Sequence, residues 1–283
     1  MYADEKRIRF VPDAQERRGM EVRVLATGSK GNAAIVSYKQ TAVLIDAGIS
    51  CRRITDGLKA AGIRPESLAG VFITHEHSDH VQGVKQLIKQ YGLPIYSRPA
   101  TCRELVRKDD LPESAFREIT KRSLSVGDLT LEWFPLSHDA VDPVGFTCHG
   151  GRDKIGFLTD TGTVTERMLR MLDDSTMLVL EANHDPNMLR YGSYAPPLKE
   201  RVGGDFGHLS NEASARALVM LKRGQKLQAV LAHRSEQNNT ISLVEEAFTR
   251  VLGKADIGIG VDVGLLHGRQ NECVILKSMQ ERS

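Results

Sequence analysis

From about residue 20 onward, short apolar runs alternate with segments of helical periodicity. Val22-Arg23-Val24-Leu25, Ala42-Val43-Leu44-Ile45 and Val71-Phe72-Ile73 read as strands. The same holds for Leu129 to Phe134, Ile155 to Leu158, Met177 to Leu180, Ala229-Val230-Leu231 and Val274-Ile275-Leu276. Helices are predicted between them. Ser50 is placed to cap one carrying Ile54, Leu58 and Ala61 on a single face and stopping near Gly62. His80 leads into Val81, Val84, Leu87 and Ile88 at helical spacing. Ser210 is placed to cap a helix with Ala213, Ala217, Leu218 and Leu221 inward and Gly224 closing it. This order predicts an α/β chain without an internal repeat or linker. Residues 1–19, which end in Glu16-Arg17-Arg18-Gly19, are polar and charged and read as an N-terminal extension; 20–283 read as a single domain.

Polar residues follow the strands in a consistent way. Asp46 comes after Val43-Leu44-Ile45, and His138 after Phe134-Pro135-Leu136-Ser137. Asp160 comes after Gly156-Phe157-Leu158-Thr159, and His233 after Val230-Leu231-Ala232. Taken singly, such residues are ordinary helix caps or packing groups. Directly after Val71-Phe72-Ile73-Thr74, however, stands His75-Glu76-His77-Ser78-Asp79-His80, with three imidazoles and the Asp79 carboxylate inside six residues. A surface histidine tract lacks a buried strand before it and a helix after it, whereas this segment has both. Ligands that converge from several strand ends make the rigid site that metal chemistry requires.

Composition narrows the picture less. The chain has 283 residues, 41% hydrophobic and 26% charged, which suits a globular domain with a sizeable core. Its 38 basic and 36 acidic residues leave +2, so charge neither demands nor excludes a nucleic acid. Cys51, Cys102, Cys148 and Cys273 are scattered without a C-x-x-C pair, which argues against a zinc knuckle or a disulfide framework. No apolar run approaches the ~20 residues of a membrane span, and the charged N-terminus lacks a secretory apolar core. A cytoplasmic protein with no membrane partner is expected.

The His75-to-His80 cluster with His138, Asp160 and His233 resembles the H-x-H-x-D-H signature and downstream ligands of the metallo-β-lactamase superfamily, from about Met20 to the C-terminus. That resemblance implies a four-layer αβ/βα sandwich with the site at one edge between two sheets. It implies two divalent metal ions, Zn2+ before Mn2+ on an all-nitrogen-and-oxygen donor set. One ion would sit on His75, His77 and His138, the other on Asp79, His80 and His233, with Asp160 bridging and Asp46 orienting ligands from behind. No cysteine stands at a ligand position, unlike many true β-lactamases of the superfamily, which argues against antibiotic hydrolysis.

Further segments resemble the YycJ/WalJ-like branch. These are Gly28-Ser29-Lys30-Gly31-Asn32, Glu181-Ala182-Asn183-His184-Asp185, Gly207-His208-Leu209-Ser210-Asn211 and Ala232-His233-Arg234-Ser235-Glu236-Gln237-Asn238-Asn239. Glu181 and His208 also resemble the acid relay of ribonuclease Z, so His208, held by Glu181, would protonate a leaving oxygen. With Asp79 they are the expected catalytic residues. The implied reaction is phosphodiester hydrolysis by a metal-bridging hydroxide, on DNA first and in an exonuclease-like way. A phosphoribosyl cyclic phosphodiesterase would use the same groups. A glyoxalase-like thioester hydrolase gives no reason for the Glu181/His208 pair, and a non-catalytic metal-binding regulatory module gives none for the full ligand set. Arg98, Arg103, Arg107, Lys199 and Arg201 are candidate phosphate contacts, although Glu104, Asp109 and Asp110 lie among them.

Overall fold

A computed structural model of the protein describes residues 19–221, 227–253, 261–262 and 273–277. The predicted extension at 1–19 lies outside these residues except for Gly19, as does Gly224. Two seven-stranded sheets form the centre. The first contains β1 (Glu21–Ala26), β2 (Ala33–Tyr38), β3 (Thr41–Ile45), β4 (Val71–Phe72), β5 (Ile95–Ser97), β6 (Phe116–Glu118) and, on its β1 edge, β14 (Val274–Lys277). The second contains β7 (Ser123–Val126), β8 (Leu129–Pro135), β9 (Val144–Gly150), β10 (Asp153–Leu158), β11 (Met177–Glu181), β12 (Leu227–Ala232) and β13 (Val261–Asp262), in that order across the sheet.

Several strands are apolar throughout because both of their faces are buried. In β3, Val43 and Ile45 enter the core between the sheets, while Ala42 and Leu44 enter the core on the outer side. The inner core joins Val22, Val36 and Phe72 of the first sheet to Leu131, Phe146, Ile155 and Val179 of the second. The outer core of the first sheet is closed by α1 (Cys51–Ala60), α3 (Val84–Tyr91) and α4 (Pro99–Asp109), which bring Ile54, Leu58, Leu87 and Leu105. That of the second is closed by α5 (Glu166–Leu172), α8 (Asn211–Met220) and α9 (Ile241–Leu252), which bring Leu169, Leu218 and Phe248. The result is the expected four-layer sandwich. Phe72 shows how packing serves the site. It is fully buried, stacks on Tyr96 at 4.6 Å, meets Phe146 edge-on at 5.9 Å, and anchors the backbone three residues before His75. Burial of one such ring contributes about 2–3 kcal/mol.

The helix starts follow their caps. Ser50 accepts from Arg53 N and Ser210 from Ala213 N. Two expectations shift in detail. The helical segment after His80 splits into α2 (Ser78–Val81) and α3, with Gly83 between them. A Cβ on Gly83 would lie 2.6 Å from Ile49 O, so the chain passes too closely there for a side chain. α8 ends at Met220 with Leu221 as its cap, and its inward face is built from Ser214, Ala215, Ala217 and Leu218 while Ala213 is only half-buried. The remaining helices, α6 (Pro186–Tyr191) and α7 (Pro196–Gly203), lie between β11 and α8 in sequence. Among the described residues no helix is long and apolar enough to cross a membrane.

Candidate metal centre

Register puts the polar residues together. Strands β10, β11 and β12 run parallel, with Leu158 opposite Leu180 and Glu181 opposite Ala232, so their carboxyl ends share one edge of the second sheet. β3 and β4 are parallel too, with Ile45 opposite Phe72. Asp46, Asp160 and His233 each leave a strand in the left-handed backbone region, at φ of 56°, 60° and 51°. Only a few per cent of non-glycine residues adopt it. The left-handed residue redirects the chain as it leaves the strand, at the sheet edge where the ligand atoms converge.

Ligand atoms converge in overlapping groups in which all lie within 4.8 Å of one another. His75, His77 and His138 form one, Asp79, His80 and His233 another, and His75, His80 and Asp160 a third. Asp160 reaches both sides, with Oδ1 3.3 Å from His233 Nε2 and 4.0 Å from His138 Nε2, and Oδ2 3.5 Å from His80 Nε2. His75, His80, His138, Asp160 and His233 are buried. All seven predicted ligands are therefore brought together.

The Nδ1 contacts explain how the rings are aimed. His80 Nδ1 donates to Asp46 Oδ2 at 2.8 Å, and His138 Nδ1 donates to Gly207 O at 3.2 Å. His233 Nδ1 lies 3.0 Å from Glu181 Oε1, and His75 Nδ1 3.0 Å from the Thr74 hydroxyl. That hydroxyl and the Thr74 amide both donate to Asp46. With Nδ1 engaged, each ring presents Nε2 to the centre. His77 approaches through Nδ1, 3.1 Å from His75 Nε2. His233 Nε2 and Asp160 Oδ2 are buried without a hydrogen-bond partner. Converging imidazole nitrogens with carboxylates between them fit divalent cations, and such buried orphans suit little else. Asp46 is predicted to act by orienting His80 directly and His75 through Thr74: Asp46→Ala should weaken metal affinity about 10–100-fold without changing the number of ions bound at saturation. Competition titration with a chromophoric chelator checks this, and unchanged affinity would remove Asp46 from the centre.

Electrostatics point the same way. Burial, reinforced by the surrounding imidazoles, holds the pKa of His75 well below the usual value and keeps its ring neutral. For His80, burial acts downward, but the Asp46, Asp160 and Asp79 carboxylates outweigh it and raise the pKa to about 9. Burial of Asp79 is likewise outweighed by the imidazoles of His233 and His80, which hold its carboxyl well below the usual range. A cation must displace the proton from His80. Because the pKa is raised, the proton is held at neutral pH and released as pH rises through about 9. Metal affinity is therefore expected to increase by about tenfold per pH unit for each proton displaced below that point. Titrations at pH 6, 7 and 8 check this; affinity independent of pH would contradict it.

Beside this centre, Glu181 is fully buried at the end of β11. Its Oε1 lies 2.8 Å from His208 Nδ1 and 3.0 Å from His233 Nδ1, while Oε2 accepts from Leu209 N at 3.0 Å and Thr161 N at 3.3 Å. Burial would raise its pKa, but His208 and His233 hold it well below the usual range. The ionised carboxylate thus ties His208 to the metal-facing His233. His208 precedes the N-terminus of α8 and remains partly exposed.

Sequence reasoning left several supports unassigned. Asn32, in the Gly28-to-Asn32 turn, donates its amide to Asp79 O at 2.8 Å, and its Nδ2 lies 3.0 Å from His80 Nε2. The turn closes against Gly48, where a Cβ would run into Asp79 O. Asn211 and Asn239 exchange side-chain hydrogen bonds at 2.9 and 2.8 Å, and Asn239 also donates to Ala182 O and Asn183 O. Asn183 Nδ2 donates to His233 O at 2.9 Å. These amides explain the branch-like segments as a clasp joining β11, α8 and the loop after β12. Asp185 caps α6 through Asn187 N and Met188 N. Of the basic candidates, Arg98 pairs with Asp142, Arg107 with Glu104 and Arg201 with Asp139. Lys199 Nζ donates to Arg190 O, and Arg103 is exposed.

Residues 41–233 match the family described as a β-lactamase superfamily domain. The chain belongs to this superfamily. It is 36% identical over 249 residues to exodeoxyribonuclease WalJ of Streptococcus pneumoniae serotype 2 (strain D39 / NCTC 7466), covering 86% of this chain and 92% of that protein. It is 33% identical over 244 residues to exodeoxyribonuclease YycJ of Bacillus anthracis, with the same coverage. Among solved structures, the metallo-β-lactamase fold protein YhfI from Bacillus subtilis superposes with a TM-score of 0.68 at 16% identity, covering 92% of this chain and 100% of that one. The short form of human tRNase Z superposes at 0.56 with 18% identity, covering 76% and 93%. These two show a shared fold.

Proposed function

We propose that this superfamily member is a cytoplasmic binuclear metal-dependent phosphodiesterase that removes nucleotides from DNA as an exonuclease. The single observation that carries the reading is Glu181 held between His208 and His233, which sets a proton-bearing imidazole beside the metal ligands. The names of its WalJ and YycJ relatives support DNA as the substrate. Four free cysteines and the absence of a membrane-crossing helix among the described residues suit the cytoplasm.

His75, His77 and His138 would hold one ion and Asp79, His80 and His233 the other, with Asp160 shared. Two divalent ions held there, zinc or manganese, would supply an activated water near neutral pH and would neutralise charge on phosphoryl oxygens. The residues of the chain do the rest. Asp46, Thr74 and Gly207 O fix the ligand rings, and burial excludes bulk water around them. His208 donates Nδ1–H to Glu181 and delivers a proton from its opposite nitrogen to the departing sugar oxygen. The amides at the start of α8 favour the phosphate anion.

A small cyclic phosphodiester would use the same groups, so the test is comparative. The protein is assayed on labelled DNA and on a ribosyl cyclic phosphate across a range of salt concentrations. Preference for DNA, falling steeply with salt through counterion release, is expected. Turnover of the cyclic ester alone would overturn the DNA assignment.

A further inference from the structure

Four of the seven large hydrophobic side chains that stand exposed among the described residues fall either just after His138 in sequence, as Val141 does, or between Glu181 and His208, as Tyr191, Leu198 and Phe206 do. Scattered exposed apolar residues need no explanation, but an exposed ring held rigidly beside a site does. Phe206 is the most informative. Its carbonyl accepts from Asp139 N at 3.1 Å, and the next carbonyl, of Gly207, accepts from His138. Gly207 N donates to Gly204 O at 2.9 Å, which closes a four-residue turn, and His208 N donates to Val202 O at 2.9 Å. A tightly bonded turn therefore carries a phenyl ring, 65% exposed, two residues before the proposed proton donor.

Cationic groups accompany these apolar ones. Arg201 pairs with Asp139, next to His138. The Arg190 guanidinium lies 5.4 Å from the centre of the Tyr191 ring, which is 75% exposed. Aromatic faces interleaved with cations are how sequence-tolerant single-strand binding is built, because every base offers a π-face and every linkage a phosphate.

We propose that Phe206 is a stacking platform for unpaired bases, which seats a single-stranded end of the nucleic acid with its phosphate toward His208. This deepens the nuclease reading and rests on it. Stacking on one ring corresponds to about a 5- to 150-fold effect on kcat/KM, carried mainly by KM.

The test compares a single-stranded oligonucleotide with one of equal length made of abasic residues, using metal-loaded protein. The wild type is expected to prefer the base-bearing strand by that factor. Phe206→Ala should bring the ratio close to one, and Phe206→Trp should restore it. The added indole of Phe206→Trp should also be quenched by the base-bearing strand and not by the abasic one. Cleavage of both strands at equal rates by the wild type, a ratio unaltered in Phe206→Ala, or an unquenched indole would overturn the platform while leaving the nuclease reading intact. Cleavage of neither strand would contradict the nuclease reading itself.

Discussion

Asp160→Ala is expected to abolish hydrolysis and strip the centre of metal. The Asp160 carboxylate lies within 3.3 to 4.0 Å of imidazole nitrogens on His233, His80 and His138, and so bridges both groups of ligands. Its removal leaves Asp79 as the one carboxylate among the expected ligands to offset two cations. Loss of an ion forfeits several kcal/mol of charge stabilisation, so turnover should fall at least about 10³-fold. Asp160→Asn is the informative partner, because asparagine tolerates the left-handed backbone at φ 60° and preserves the turn. Metal analysis beside a thermal melt separates the outcomes. A folded Asp160→Asn protein with depleted metal supports the bridging role, whereas full metal content in both variants would refute it.

His208→Ala is expected to behave in the opposite way. His208 stands outside the seven expected ligands, held by Glu181 at 2.8 Å and 3.8 Å from Asp160, so metal content should be retained while turnover on DNA falls about 10²–10⁴-fold. The loss should depend on the leaving group. A sugar oxygen needs a proton as it departs, whereas p-nitrophenolate does not, so bis(p-nitrophenyl) phosphate should be much less affected. An equal loss on both substrates would assign His208 to positioning or binding, and near-full activity on DNA would remove it from the chemistry.

How much of this was legible from the residues follows from which interactions are local. The H-x-H-x-D-H segment could be read because its ligands lie within six positions after a buried strand. The α/β class could be read because the apolar runs of β3, β10, β11 and β12 are short and bounded by polar residues, whereas the four-layer arrangement followed from the resemblance to the superfamily. Ser50 and Ser210 were readable as caps because capping acts within three residues. The left-handed turns at Asp46, Asp160 and His233 were not, since a strand-end aspartate looks the same in sequence whether it caps a helix or crosses a sheet edge. Nor was the break at Gly83, which arises from close approach of Ile49, distant in sequence. The amide clasp of Asn183, Asn211 and Asn239 joins residues up to 57 positions apart. Its members appear in the branch-like segments, but their partners emerge only once β11 and β12 lie side by side. Arg98, Arg107 and Arg201 were candidates for phosphate contact by charge alone, and their carboxylate partners depend on tertiary structure.

The most direct measurement is release of nucleotides from end-labelled single-stranded and duplex DNA by the metal-loaded protein, with and without chelator. Progressive shortening from an end, abolished by the chelator and restored by adding back zinc or manganese, is the predicted result. Shortening that persists after the metal has been removed, or intact DNA in the presence of a fully loaded centre, would contradict the assignment of this site as a metal-dependent exonuclease.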